Sequence, residues 1–351
     1  MTSIIGTNPN QVPTNADLGT MAYQDYDVVA PQLLAGRRNL IINGGFDVWQ
    51  RGTSGSFVGG PKYVSADRWY GYLNTSTTIT LSRQAFTNGQ TEVPNNPKYY
   101  ARFDWLGTGS SQFFSITQRI EGVQHGAGGH ITLSFYARTE QGDDITVGVN
   151  QKFGSGGSSD VNVGNTNINA TTSWKKYEIT LGVPSISGKT IGTGDNLEIA
   201  FYRTGTLNSY LELANVQLEL GKVATPFEQR SYGEELTLCS RYYHEIKQFV
   251  FNANKGNDTY WDGHARAGSY PFPVPMRASP SVTLVQTFGW LANTSGWTTP
   301  SSGRHPVSIG VTNEQNVAFT GSNYWDDPGT GGSAGNTTAV RIEKATVDAE
   351  L

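Results

Sequence analysis

The chain has 351 residues, 25 Lys and Arg against 29 Asp and Glu, and a formal net charge of −4. Charged residues are only 15% while glycine numbers 42; with abundant Thr, Ser and Asn, all poor helix formers, this excludes a coiled coil or helical repeat as the main body. The mild acidity excludes a general nucleic-acid binder, which needs clustered Lys and Arg for phosphates. One cysteine, Cys239, excludes an internal disulfide framework and a Cys-based zinc cluster. No run of about 18 apolar residues is present, so no membrane insertion is expected.

Residues 1–36 contain no Lys or Arg, three aspartates and three prolines. Their apolar residues follow neither period 2 nor 3.6, so the segment cannot fold on its own buried surface. It reads as an extended N-terminal arm that orders against a partner, with Leu18, Met21 and Tyr23 as the docking side chains. MTSIIGTNPNQ lacks a basic n-region and a long apolar stretch, so no secretory signal is expected.

Residues 38–230 read as a β-sandwich. Strand-like runs lie at Asn39–Phe46, Asp67–Leu73, Thr77–Arg83, Tyr99–Trp105, Phe113–Ile120, Ile131–Arg138, Ile145–Phe153, Lys175–Leu181, Leu197–Tyr202 and Tyr210–Leu220, separated by Gly, Asn, Ser and Pro clusters. Many short strands with such punctuation predict an antiparallel sandwich or jelly roll. In YLELANVQLEL the alternation slips at Ala214–Asn215, which predicts a bulge. Residues 231–247 predict a linker helix: Ser231 stands three before Glu234, as in a capping box, and Leu236, Cys239, Tyr243 and Ile246 form one apolar stripe. That stripe is either packing within the domain or a helix at an oligomer axis. Residues 248–351 predict a second, smaller β-domain.

The motifs nearest to catalytic chemistry have structural explanations. GVPSISGKT (Gly182 to Thr190) has one residue too many between its glycines for a phosphate loop, and no helix pattern follows it. His125 and His130 flank a glycine-rich loop rather than a metal spacing. Gly-x-Ser-x-Gly is absent. The Asp143–Asp144, Glu234–Glu235 and Asp326–Asp327 pairs fall in turns or in a helix first turn. Aromatic side chains remain. Alternation places Tyr70 and Tyr72 on one strand face, opposite Trp69. Trp297 and Trp325 lie in polar, glycine-rich stretches, where rings meet partners. These four are the candidate ligand-binding residues.

NPNQVPTNADLGTMAYQD (Asn8–Asp25) resembles the N-terminal arm of structural proteins from tailed phages of the marine and cyanobacterial type. NLIINGGFDVWQRGT (Asn39–Thr53), ADRWY (Ala66–Tyr70) and LELANVQLELGKVATPFE (Leu211–Glu228) resemble a phage-borne jelly roll similar to carbohydrate-binding modules. ELTLCSRYY (Glu235–Tyr243), FPVPMRASPSV (Phe272–Val282) and DAEL (Asp348–Leu351) resemble the C-terminal part of the same proteins.

The resemblance implies a virion structural protein of the tail-fibre or receptor-binding kind. Such a protein is a homotrimer, made in the host cytoplasm without a signal peptide. It attaches to other virion proteins through residues 1–36 and adheres to a host-surface glycan or protein. The family supplies no catalytic residues, so no enzyme is expected. No cofactor is expected beyond a possible structural calcium near the first and last strands, with Asp47 and Glu219 as nearest candidates. The rival readings are a capsid or tail decoration protein without a receptor role, and a polysaccharide depolymerase.

Overall fold

A computed structural model describes residues 38–107, 113–205, 207–252, 266–286, 289–292, 297–298, 307–321 and 337–351. The docking residues Leu18, Met21 and Tyr23, and Trp325, lie outside them. The described residues form two compact units, divided between Tyr232 and Gly233. The fold class is all-β: a jelly-roll sandwich and a smaller β-unit, with one short helix among the described residues.

The first unit holds strands β1 (Ser54–Lys62), β2 (Tyr70–Ala85), β3 (Tyr99–Gly107), β4 (Phe113–Glu121), β5 (His130–Thr139), β6 (Asp143–Lys152), β7 (Val161–Ala170), β8 (Lys175–Gly182), β9 (Asn196–Thr204) and β10 (Leu207–Leu220). Hydrogen bonding runs β7-β6-β9-β4-β2-β3-β10-β5-β8, with β1 on β2. The long strand β2 is the corner. Its first residues, Tyr70–Leu73, pair with β4, and its last, Ile79–Ala85, pair with β3. One face of each half meets the other across a core that includes Trp69, Phe103, Phe114, Phe135, Phe201 and Leu213. At the far edge the Tyr177 hydroxyl on β8 donates to the Asn169 carbonyl on β7 at 2.8 Å, drawing the two end strands together.

Several expectations change here: β1 was not expected, and the Asp67–Leu73 and Thr77–Arg83 runs merge into the single strand β2. Asn39–Phe46 is not a strand. Asn43 and Phe46 take left-handed backbones, with φ of 59° and 56°, which breaks a ladder. The segment is instead tied beside β10 by the Asn39 side chain: its Nδ2 donates to the Val216 carbonyl at 3.1 Å, and its Oδ1 accepts from Leu218 N at 3.0 Å. β7 was not expected at all; its sequence, VNVGNTNINA, is rich in a residue depleted from strands. The β10 bulge is present: pairing with β5 shifts between Ala214 and Gln217, and Asn215 has φ 49°.

The boundary between the units falls in the first turn of α1 (Tyr232–Ser240), most of which belongs to the second. The helix stops at Ser240, so Leu236 and Cys239 are helical, but Tyr243 and Ile246 lie on strand β11 (Tyr243–Asn252). The apolar spacing is that of a helix, yet pairing with β18 (Thr337–Asp348) outweighs it, Tyr243 standing opposite Asp348 and Ile246 opposite Ala345. Cys239, Tyr243 and Ile246 are buried and Leu236 is half-buried, so the four do not make one exposed helix stripe. β18 also pairs with β13 (Ser281–Gln286) and β14 (Gly289–Ala292), and β14 with β15 (Trp297–Thr298). A separate sheet runs β12 (Arg266–Pro271), β17 (Asn316–Gly321), β16 (Val307–Thr312). The core here gathers Ile246, Phe272, Met276, Phe319, Ile342 and Val347.

Candidate functional site

The outer face of the β2-β4-β9-β6-β7 half is a lattice fixed by register. One cross-strand row reads Tyr72, Ser115, Tyr202, Thr146, Asn167; the next reads Tyr70, Thr117, Ala200, Gly148, Asn165; a third reads Arg119, Glu198, Asn150, Asn162. Trp69 points the other way, into the core, as alternation requires.

The two tyrosines of this face differ. Tyr70 is 5% exposed. Its hydroxyl donates to Glu198 Oε2 at 2.9 Å, Arg119 sits over its ring at 4.7 Å, and Tyr63 packs at 5.4 Å. Burial, then the Glu198 charge, pushes its phenol well above the usual range. Tyr70 is thus a pinned structural ring. Tyr72 is half-buried and begins an aromatic line: its ring meets Phe113 edge-on at 5.9 Å, and Phe113 meets Tyr202 at 5.4 Å. Phe113 and Tyr202 are also half-buried.

Beyond Tyr202 the face turns into neutral amides. A Cβ on Gly148 would sit 3.1 Å from the Tyr202 ring and 2.8 Å from Asn165 Oδ1, so glycine is what lets both side chains lie over the strand. Thr146 Oγ1 donates to Asn167 Oδ1 at 2.8 Å, and Asn162 Nδ2 contacts Asn150 Oδ1 at 3.1 Å and Asn165 Oδ1 at 3.2 Å. Such a ladder fixes amide orientations while each amide keeps further donor and acceptor capacity toward solvent. Flat apolar rings beside oriented neutral amides match a ligand with both C–H faces and hydroxyls. Alternation in the sequence points to Tyr72; Phe113, Tyr202, Thr146 and Asn150 lie on expected strands, but only the pairing of β4, β9 and β6 brings them to one face, and Asn162, Asn165 and Asn167 were missed because β7 carries no apolar period.

The outer face of the other half is ionic. Glu212 on β10 is fully buried and accepts from Arg102 Nε at 2.6 Å on one oxygen and from Arg138 Nε on the other. Arg102 lies over the Tyr210 ring at 4.3 Å and Arg138 over Trp174 at 4.9 Å. Beside it, Phe86, Val93, Tyr100, Trp174 and Ala214 form a small apolar cluster under the 86–98 loop. The Glu212 charge is neutralised internally, and Tyr210 and Trp174 each lie under an arginine.

The remaining candidates lie apart. Glu219 is buried and its oxygens accept from Thr225 N at 3.0 Å, the Thr225 hydroxyl and Gln217 Nε2 at 2.8 Å. Burial raises the Asp47 carboxyl, with Lys98 opposing. Among the described residues no group of three or more His, Cys, Asp or Glu stands ready for a metal. Trp297 is on the two-residue strand β15 of the second unit, whereas Tyr72 is on β2 of the first.

No family model and no curated protein matches the sequence. Solved structures similar to part of the chain include a CBM4 structure (15% identity, TM-score 0.30, 51% of this chain and 98% of that one). Another is a family 11 carbohydrate-binding module from Clostridium thermocellum in complex with a β-1,3-1,4-mixed-linked tetrasaccharide (12% identity, TM-score 0.31, 49% and 98%). A third is the enzymatically active domain of bacteriophage CBA120 tailspike protein 4 (14% identity, TM-score 0.33, 52% of this chain and 21% of that one). Likeness at this level assigns no ligand to this chain.

Proposed function

We propose that the first unit is a non-catalytic glycan-binding module that takes neutral sugar units on its outer β2-β4-β9-β6-β7 face. The observation that carries this is the half-exposed line Tyr72–Phe113–Tyr202 running onto the Thr146, Asn150, Asn162, Asn165 and Asn167 side chains. Sugar C–H faces pack on the rings, and hydroxyls exchange hydrogen bonds with the amides, so no charge is needed. In the same reading the whole chain is a tailed-phage tail-fibre or receptor-binding protein. Residues 1–36 dock it on the virion and three copies multiply weak contacts through effective concentration. The support for that part is the sequence resemblance of Asn8–Asp25 and of the C-terminal motifs.

The test is affinity electrophoresis of the full chain through gels holding neutral polysaccharides. Retardation by at least one is expected, with Tyr202→Ala about tenfold weaker, the loss of one ring at the centre of a contact surface. Migration unchanged on every neutral polysaccharide, or equal retardation of the variant, contradicts the proposal.

A further inference from the structure

The 86–98 loop contains an Asn–Gly step, Asn88–Gly89, whose reacting groups are gripped by one other side chain. Asn88, Gly89 and Asn96 are all exposed. Gly89 N donates to Asn96 Oδ1 at 3.2 Å, and Asn96 Nδ2 donates to Asn88 Oδ1 at 3.3 Å. The step sits in a turn closed by Gln90 N on the Thr87 carbonyl at 3.1 Å, with Gly89 at φ 79°. The neck is held by Phe86 N on the Lys98 carbonyl at 3.1 Å, and Val93, fully buried, anchors the middle. Asn96 itself is fixed in a left-handed backbone, φ 47°. Its amide meets the turn through both of these hydrogen bonds.

We propose that Asn88 is a site of self-catalysed deamidation and isomerisation, with Asn96 as its positioning residue. The Gly89 main-chain nitrogen attacks Asn88 Cγ. A new N–C bond forms, the Cγ–Nδ2 bond breaks, and ammonia leaves with the proton from the attacking nitrogen. Water then opens the five-membered imide at either carbonyl, giving aspartate or isoaspartate at position 88. The only co-reactant is water and no redox change occurs.

Asn96 acts on both partners of the first step. Its Oδ1 accepts the N–H that must be lost, and its Nδ2–H meets the oxygen that gains charge in the tetrahedral intermediate, as an oxyanion donor does. The product adds a negative charge to the loop. Isoaspartate also adds one carbon to the main-chain path between the neck and the Val93 anchor.

The molecule contains an internal control. Asn43–Gly44 is also an Asn–Gly step, but Asn43 is buried. Its Nδ2 donates to the carbonyls of Val48 at 2.8 Å and Asp67 at 3.0 Å, its Oδ1 accepts from Val48 N at 2.9 Å, and the Val216 carbonyl crowds Gly44. It is held away from any attack.

The experiment is peptide mapping by mass spectrometry, with aspartate and isoaspartate separated, on the full chain aged at neutral pH. The reference is a synthetic peptide of residues 84–92, which lacks Asn96. Position 88 is expected to convert about three- to tenfold faster in the folded chain than in the peptide, the factor one neutral hydrogen bond supplies. Asn96→Ala is expected to return it to the peptide rate, Asn96→Asp to retain part of the gain, and Asn43 to stay intact. A folded-chain rate at or below the peptide rate, or one indifferent to Asn96→Ala, overturns the proposal. The peptide comparison holds even if a variant fails to fold.

Discussion

Glu212 lies on the strand in which Leu211, Leu213, Val216 and Leu218 are core, and alternation alone would send it to solvent. It is instead fully buried, because Arg102 and Arg138 close over it from the neighbouring strands and themselves lie over the Tyr210 and Trp174 rings. Its removal leaves two guanidinium groups facing each other without their shared counter-charge. Glu212→Ala is expected to lower unfolding stability by about 2–3 kcal/mol, below the ~3–5 kcal/mol of a fully buried pair because both arginines reach solvent. Urea unfolding checks this; a change under about 0.5 kcal/mol would mean the arginines find water instead. The same residue scale separates Tyr70 from Tyr72. Sequence places both on one face, and only the Glu198 and Arg119 contacts make Tyr70 structural.

At the scale of elements, legibility followed apolar periodicity. β10 was readable down to its bulge, since a slip in strict alternation can be counted. β7 was not, because its asparagines bond across to Asn150, Thr146 and Asp144 on β6, with Asn165 tied to Asn162 beside it, rather than forming an apolar stripe. That omission hid the Asn162, Asn165 and Asn167 amides of the candidate site. The α1 stripe failed for the opposite reason: Tyr243 and Ile246 fit a helix period, but β18 offered them a strand partner, and tertiary pairing overrides local propensity. Asn39–Phe46 looked extended, yet its Asn43 side chain holds a left-handed turn.

β6 supplies a test of the ladder as a unit. Gly148→Ala forces the Tyr202 ring and the Asn165 amide outward. Both are surface groups, so stability is expected to change by less than about 1 kcal/mol. Glycan retardation is expected to weaken as it does for Tyr202→Ala. Undiminished retardation would place binding elsewhere.

For the whole molecule, the two units are expected to respond differently to acid. In the second, burial pushes the His244 imidazole below its ordinary value, with Glu245 partly opposing; His244 Nε2 lies 2.7 Å from the Tyr270 hydroxyl. The unfolded chain then takes the proton more readily, so this contribution is present above about pH 6.5 and lost as pH falls below it. Burial would raise Glu245, but hydrogen bonds from Lys344 and Lys247 outweigh it and hold the carboxyl low, so its contribution is also lost on further acidification. In the first unit burial raises Asp104, with Arg102 opposing, and a raised carboxyl works the other way: protonation relieves a cost. Calorimetry between about pH 7 and about pH 5 is expected to lower the transition that His244→Phe also displaces, and that substitution should remove most of the shift. An unchanged shift in the variant would assign the acid response to other groups.

Under the proposed function, sugar binds on the Tyr72–Tyr202–Asn165 face. Hydrogen exchange of the full chain, with and without a neutral oligosaccharide cut from a polysaccharide that retards it, tests this most directly. Protection gained in β9, β6 and β7, with β3, β10 and β5 unchanged, is the expected result. Protection gained on β3, β10 and β5 around Glu212, or confined to the second unit, would contradict it.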